Sequence, residues 1–486
     1  MLVELRPTER LRKGNGKALV QSVLGSILHA VGDETLDLEK LRIVCDWVQY
    51  KNSFREPVEI RPILNGSSVE LRLEIGVDLR RATGEQHDIN VEMARALARR
   101  DVSDRHYLEP WSRTTASLIW SFNALYWKAL GLWEAVTGRP YEQALPGGES
   151  DARNAAGARD SITRLFATWD GLAERRALPD QLHVLEIGVG NGNQARVWLD
   201  TFLEIDRETG RDYYRRLHYL MGDYSPHLLD VARAQVRHHE DHTSTIVLDA
   251  TKPSNTLGFL KYKTFFVYIS NVYDNLPTDE IARIDGHLFQ VETRAFLPAG
   301  PAAAIAEDIG ASPEDLPDLV ARLLRLGPEL LAETEPRRFP GAHAAVRFWM
   351  KVWEALGLEE RYVALPPLDE YQFAPGISGE VLRPLMEANG DLRMHVSNGA
   401  AASFVDTLPL LHPHGVLECH DIFVTSLAGY GTGFRGPGKY EGSVVNWVNG
   451  NVLAALGGRR GFDVTFRSFA FRAGSNITTM TAEVRE

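Results

Sequence analysis

One stretch constrains this chain more than any other: Val184 to Asn193, which reads VLEIGVGNGN. An apolar, strand-like run breaks into three alternating glycines, Gly188, Gly190 and Gly192. Such a run turns a strand sharply into a helix whose N-terminus faces a ligand. Downstream, Ala195, Trp198, Leu199, Phe202 and Leu203 fall on one side of a helix. The alternation then continues. LHYLMGD at 217–223 reads as a second strand, followed by a helix with Ser225 as its N-cap and Pro226 at its first position. STIVLDA and KTFFVYISN supply two more strands. Alternation of this kind predicts an α/β fold, a parallel sheet with helices on both faces.

The remainder of the chain divides around that core. Residues 1–110 mix helical patterns over Ala18–Val31 and Leu36–Tyr50 with a hairpin signal at Asn65-Gly66, giving an N-terminal α+β region. A helical segment over 111–180 leads into the first part of the core, 181–277. Residues 278–390 are rich in helix formers and prolines, and Ser312 with Asp315 forms a capping-box pattern. They read as a helical insertion or cap. The second part of the core, 391–486, holds a helix near Ala400–Leu411 and a fifth strand in GVLECHDIFV. It closes on two β-rich runs, 462–471 and 476–484, expected to pair antiparallel.

Composition excludes several classes. With 486 residues, 44% hydrophobic and 24% charged, the chain is long enough for two or three globular domains. Two cysteines, Cys45 and Cys419, support neither a disulfide framework nor a four-thiolate zinc site, and their scarcity fits a reducing, cytoplasmic setting. The charged N-terminus does not read as a secretory signal. Ala116–Trp133, the most apolar segment, is broken by Ser121, Asn123 and Lys128 and reads as a packed helix, so no membrane partner is expected. A net charge of −12 without a Lys/Arg block argues against nucleic acid.

The glycine spacing selects among cofactors. A dinucleotide fingerprint needs G-x-G-x-x-G, and the place of its third glycine is taken by Asn193. Glu186, two residues before the first glycine, sits poorly beside a pyrophosphate and well beside a cation. S-adenosylmethionine carries a sulfonium and an ammonium and no phosphate. Asp223, ending the second strand, is placed to accept from ribose hydroxyls. Asp249, followed by Ala250 and Thr251, is placed to receive the adenine amino group. Tyr224, Ser225 and Ser270 complete the candidate cofactor set.

On these residues the chain resembles class I S-adenosylmethionine-dependent methyltransferases, whose Rossmann-like, seven-stranded sheet ends in an antiparallel pair. More narrowly it resembles the MidA-like family, which includes mitochondrial complex I assembly methyltransferases acting on protein arginine. VLEIGVGNGN with MGDYSP is similar to that family's E-I-G-x-G-x-G and E-P-S-P. YISNVYDNLP is similar to A-N-E-x-x-D-A-L-P, matching at Asp274, Leu276 and Pro277. LECHDIFVTSLAGYGTGFRG is similar to D-Y-G followed by G-T-L-R, matching at Asp421, Gly431, Thr432 and Arg435. The family's Asn-Glu pair falls on Ser270-Asn271, so the acid is absent. The resemblance implies methyl transfer to a protein side chain, arginine in that family; the absent acid and the large insertion imply instead a small-molecule acceptor. A non-catalytic assembly factor with this fold is the third reading.

Methyl transfer from a sulfonium asks a protein for alignment and exclusion of water, with acid–base help only where the acceptor must lose a proton. Asn271, Tyr273 and Asp274, after the fourth strand, are the catalytic candidates, with His420 after the fifth as a general base. Asp274 reads equally as the cap of a helix starting near Pro277. His412, His414, Cys419 and His420 are spaced across a turn and a strand and do not predict a metal site. Trp120, Trp127 and Trp133, and Phe348, Trp349 and Trp353, are pocket or core residues. Arg435 and Lys439 are candidates to hold an anionic acceptor.

Overall fold

A computed structural model describes residues 2–6, 16–32, 37–48, 52–64, 72–82, 88–98, 104–144, 154–388, 390–433, 436–472 and 474–485. One sheet holds seven strands: β1 (Leu182–Ile187), β2 (Leu217–Asp223), β3 (Thr243–Val247), β4 (Thr264–Ser270), β5 (Leu411–Asp421), β6 (Phe462–Ser468) and β7 (Thr478–Val484). Their order across the sheet is β6-β7-β5-β4-β1-β2-β3. β1 to β5 pair in parallel, and β7 runs antiparallel to both β5 and β6. This is the α/β sheet with a closing antiparallel pair that the alternation and the terminal β-rich runs predict.

The central strands are apolar on both faces because both are covered. Leu185, Ile187, Val267 and Ile269 pack with the helices Asn398–Thr407 and Gly450–Arg459. Val184, Phe266 and Tyr219 pack with Trp198 and with Trp169 of the helix Ala155–Glu174.

Three helices frame the site: α1 (Leu118–Lys128), α2 (Asn193–Thr209) and α3 (Pro226–Gln235). The start of α3 is set locally, since the Ser225 hydroxyl accepts from the Leu228 N–H and Pro226 occupies the first helical turn. α2 reaches α3 through Gly192, which has φ +79° and whose Cβ, were there one, would lie 2.6 Å from the Ala232 Cα.

A second sheet corrects the expected organisation. Its strands run Leu2–Leu5, Leu41–Asp46, Arg72–Asp78, Val58–Leu64, Gly357–Ala364, His287–Pro298, Glu280–Ile284 and Leu392–His395, and two short strands, Arg105–Tyr107 and Ser112–Arg113, also pair with His287–Pro298. The N-terminal region and the insertion therefore share one sheet, joined where Ile63 and Leu64 pair with Tyr362 and Val363. The insertion is not purely helical: Ala299–Asp308, Leu316–Thr334 and Ala342–Ala355 alternate with its strands. Nor is Leu36–Tyr50 a helix, for Leu41–Asp46 is a fully buried strand between parallel neighbours. The strands around Asn65-Gly66 do pair antiparallel, while the turn itself lies outside the described residues.

Charge hides these strands in the sequence. Glu360 on GLEERYVA is buried and meets the guanidinium groups of Arg61 at 2.9 Å, Arg393 at 3.0 Å and Arg55 at 3.3 Å. Arg393 also meets Glu280 at 2.6 Å, and Arg61 meets Glu74 at 2.9 Å. Burial would raise the Glu360 carboxyl, but Arg393, Arg55 and Arg61 outweigh it and hold the group below the usual carboxylate range. A strand that points carboxylates inward shows no alternation of apolar and polar residues.

Candidate functional site

The carboxyl ends of β1 to β5 open into a cavity of about 930 Å³. Its floor is the glycine turn. Gly188, Gly190 and Gly192 have φ of +78°, +56° and +79°, which side chains adopt only with strain. At Gly188 an added Cβ would lie 2.3 Å from Val272 Cγ2, and at Gly190 2.7 Å from the Tyr141 hydroxyl. Both glycines keep a cradle open that any other residue would fill. Gly192 does not line the cavity and serves the approach of α2 to α3 instead, a correction to its expected role as a ligand.

Three carboxyls reach the cavity from successive strands. Glu186 on β1 is buried and accepts from the Tyr219 hydroxyl at 2.6 Å. Burial pushes its carboxyl up to about 8, against the lowering effect of that bond. Asp223, ending β2, accepts from the Gly190 N–H and the Ser225 N–H, each at 2.9 Å. Burial raises it to about 6 in spite of these bonds. Asp249, after β3, is more open and accepts from the Thr251 N–H and hydroxyl at 2.9 and 2.6 Å, with Lys252 Nζ 3.5 Å away. Asn193, Tyr224, Ala250 and Ser270 line the same cavity. Ser225 does not: its fully buried hydroxyl is spent on the helix cap.

The loop after β4 supplies the opposite wall. Asn271, with φ +51°, and Asp274 line the cavity. Beneath them the buried Asp421 accepts from the backbone N–H groups of Tyr273 at 2.8 Å and Asp274 at 3.2 Å. Burial and the neighbouring Asp274 carboxyl raise Asp421 well above the usual range. Burial lifts Asp274 to about 6, against the lowering bond from the Asn275 amide at 2.8 Å. No helix starts at Pro277; Tyr273–Asn275 is a single turn and Glu280–Ile284 a strand. Tyr273 lies outside the cavity lining, with its ring buried in the core below the sheet ends, so its place as a catalytic candidate is corrected.

His420 is corrected for a simple reason of strand periodicity: it faces away from Cys419 and Asp421. Its Nε2 is 3.0 Å from Glu418, its Nδ1 is 3.0 Å from the Thr479 hydroxyl, and it does not line the cavity. Lys439 is buried, donates to the Glu354 carbonyl at 2.9 Å and lies 5.2 Å from the Phe54 ring, also away from the cavity. Arg435 lies outside the described residues.

The outer wall is aromatic. Trp120 and Trp127 of α1 line it with Tyr141, Tyr440 and Trp447, whereas Trp133 packs on Trp349 at 4.7 Å in the core with Phe348 and Trp353. Asn123 fastens this wall to the loop after β4, its amide donating to the Asn275 carbonyl at 2.7 Å and its carbonyl accepting from the Val444 N–H at 2.9 Å. Asn446 adds a bond to the Asp274 carbonyl at 2.7 Å. Tyr141, Tyr440, Trp447, Arg472 and Asn476 were not legible as site residues, because each comes from a segment without motif spacing.

Fold and cavity define a class: an α/β protein with a ligand cavity at the carboxyl ends of a parallel sheet, over a glycine turn. No family model and no curated protein matches the chain. Among solved structures it is similar to an uncharacterized superfamily protein from Burkholderia thailandensis, with TM-score 0.43 and 11% identity over 77% of this chain and 87% of the other. A further superfamily member from that organism, bound to S-adenosyl-homocysteine, has TM-score 0.43 and 12% identity over 77% and 88% of the two chains. The DszA carbon methyltransferase has TM-score 0.34 and 12% identity over 86% and 74%.

Proposed function

We propose that the protein is an S-adenosylmethionine-dependent methyltransferase. The observation that carries this reading is the convergence of Glu186, Asp223 and Asp249, from three successive strands, on one cavity over the Gly188–Gly190 cradle. Bound there, S-adenosylmethionine supplies a methyl group already activated by its sulfonium. Glu186 holds its place near a cationic ligand group, which favours the ionised carboxylate. Asp223 keeps acceptor capacity for ribose hydroxyls beyond its two backbone bonds. Asp249 accepts from the adenine amino group, and Tyr224 offers its exposed ring. Asp274 takes a proton from an acceptor that must lose one.

The aromatic outer wall and the absence of a carboxylate at Asn271 support a small-molecule acceptor, and a cavity near the top of the roughly 300–1,000 Å³ range has space for cofactor and acceptor together. Asp274, Leu276 and Pro277, which match the MidA-like segment, line the same cavity and support a protein side chain as the second reading. The test follows the label from methyl-tritiated S-adenosylmethionine in extract from the protein's own source, fractionated by size, beside the Gly190→Arg variant. Label in small molecules that the variant fails to produce supports the first acceptor, and label in macromolecules the second. No transfer and no binding of the cofactor would overturn both.

A further inference from the structure

A cluster outside the cavity lining has the donor set of a metal site. Asp200 projects from α2, and His238 and His239 sit on the turn Arg237–His242 that follows α3. Asp200 Oδ1 lies 2.9 Å from His238 Nε2 and 3.1 Å from His239 Nε2, and the three ligand atoms all lie within 4.8 Å of one another. Adjacent residues on a regular helix point about 100° apart. Here His239 leaves helical geometry, with φ −114° and ψ 18°, and the two rings come to the same side with centroids 4.0 Å apart.

We propose that Asp200, His238 and His239 form a binding site for a borderline divalent transition cation, zinc in the first instance. The two Asp200–histidine distances, 2.9 and 3.1 Å, are close to the ~3.3 Å edge of a tetrahedron that Zn–N and Zn–O bonds of about 2.0–2.2 Å set. Two imidazoles and one carboxylate favour zinc over calcium or magnesium, which take oxygen donors. A supporting partner is already built: the Tyr214 hydroxyl lies 2.6 Å from His239 Nδ1. A metal on Nε2 leaves the proton of neutral His239 on Nδ1, where the Tyr214 oxygen accepts it. His239 is buried and Asp200 and His238 are about half exposed, so the fourth position faces water.

None of the three lines the cavity. The site clips α2 to the turn after α3, and these are the helices that follow β1 and β2. Its role is therefore to brace the glycine turn and the Asp223 turn, without contact to the reacting groups.

The test uses the full chain stripped with EDTA and titrated with zinc chloride against a chromophoric chelator, with a thermal melt in parallel. Asp200→Asn/His238→Ala removes two exposed ligands and leaves the buried His239 in place; circular dichroism checks its fold, and His412→Ala is the control. The expected result is one zinc bound at least tenfold more tightly by the parent and the control than by the double variant, with a melting temperature that zinc raises only in the first two. Equal zinc affinity in parent and double variant, or a melting temperature that zinc leaves unchanged in the parent, would overturn the proposal.

Discussion

Asp223 Oδ2 lies 2.9 Å from the backbone N of Gly190, so the carboxyl that ends β2 holds the turn that ends β1. Its other oxygen holds the Ser225 N–H. One side chain thus ties together two loops that the sequence separates by a whole helix. Asp223→Ala should cost cofactor binding twice, through a lost ligand and a loosened cradle, whereas Asp223→Asn keeps an acceptor for only one of the two N–H groups. Calorimetry with S-adenosylhomocysteine should rank the affinities parent, then Asn, then Ala. Equal affinity in all three would remove Asp223 from the site.

Gly190→Ala places a Cβ 2.7 Å from the Tyr141 hydroxyl at φ +56°. The free cradle relieves backbone strain of about 1–3 kcal/mol by shifting out of the binding geometry, and restoring that geometry on binding, at roughly 1.4 kcal/mol per decade, predicts affinity loss on the order of tenfold to a hundredfold. Gly192→Ala, which meets the Ala232 backbone at 2.6 Å, should instead show as a lower melting temperature. The contrast between the two readouts is the check.

Glu186, raised to about 8, is mostly protonated at pH 7 in the free protein. A cationic ligand group lowers it, so binding at pH 7 should release a proton and tighten as pH rises towards 8. Calorimetry in buffers of different ionisation enthalpy measures the release, which Glu186→Gln should abolish.

If Asp274 accepts a proton, the rate rises as pH increases through about 6, where its carboxyl ionises. Asp274→Asn should flatten that limb and lower kcat. His420→Ala, facing Glu418 and Thr479, should leave the limb in place and lower stability alone. A flat limb in the His420 variant would reverse the two assignments.

The charged face of the second sheet predicts acid sensitivity. Glu360 is depressed in the folded state, so its contribution is present above the unfolded value near 4.5 and is lost as pH falls towards the folded one. Arg393→Met leaves Glu360 and Glu280 short of a partner and should cost about 3–5 kcal/mol, the range for breaking a buried pair, read by urea unfolding at pH 7.

What the sequence determined by itself is local. The strand-to-helix break at the glycine run, the Ser225–Pro226 helix start, the Ser312–Asp315 capping box and the alternation of strands and helices each depend on neighbours a few residues away, whereas Asp223, Val272, Tyr141 and Ala232 fix where the glycine turn sits. Short-range sterics and hydrogen bonding leave them little choice. Tertiary structure decided the rest. Residues 58–64 and 357–364 meet across almost three hundred positions, and the Arg61–Glu360 ion pair that joins them looks in sequence like a solvated surface. The same limit separates Asp421 from His420: both are polar residues at one strand end, and only the strand's registration in the sheet sends one beneath the loop after β4 and the other to the opposite face. Side-chain direction in a strand alternates with every residue, so chemistry legible as a list of residues became a site only once the sheet set which of them face the same space.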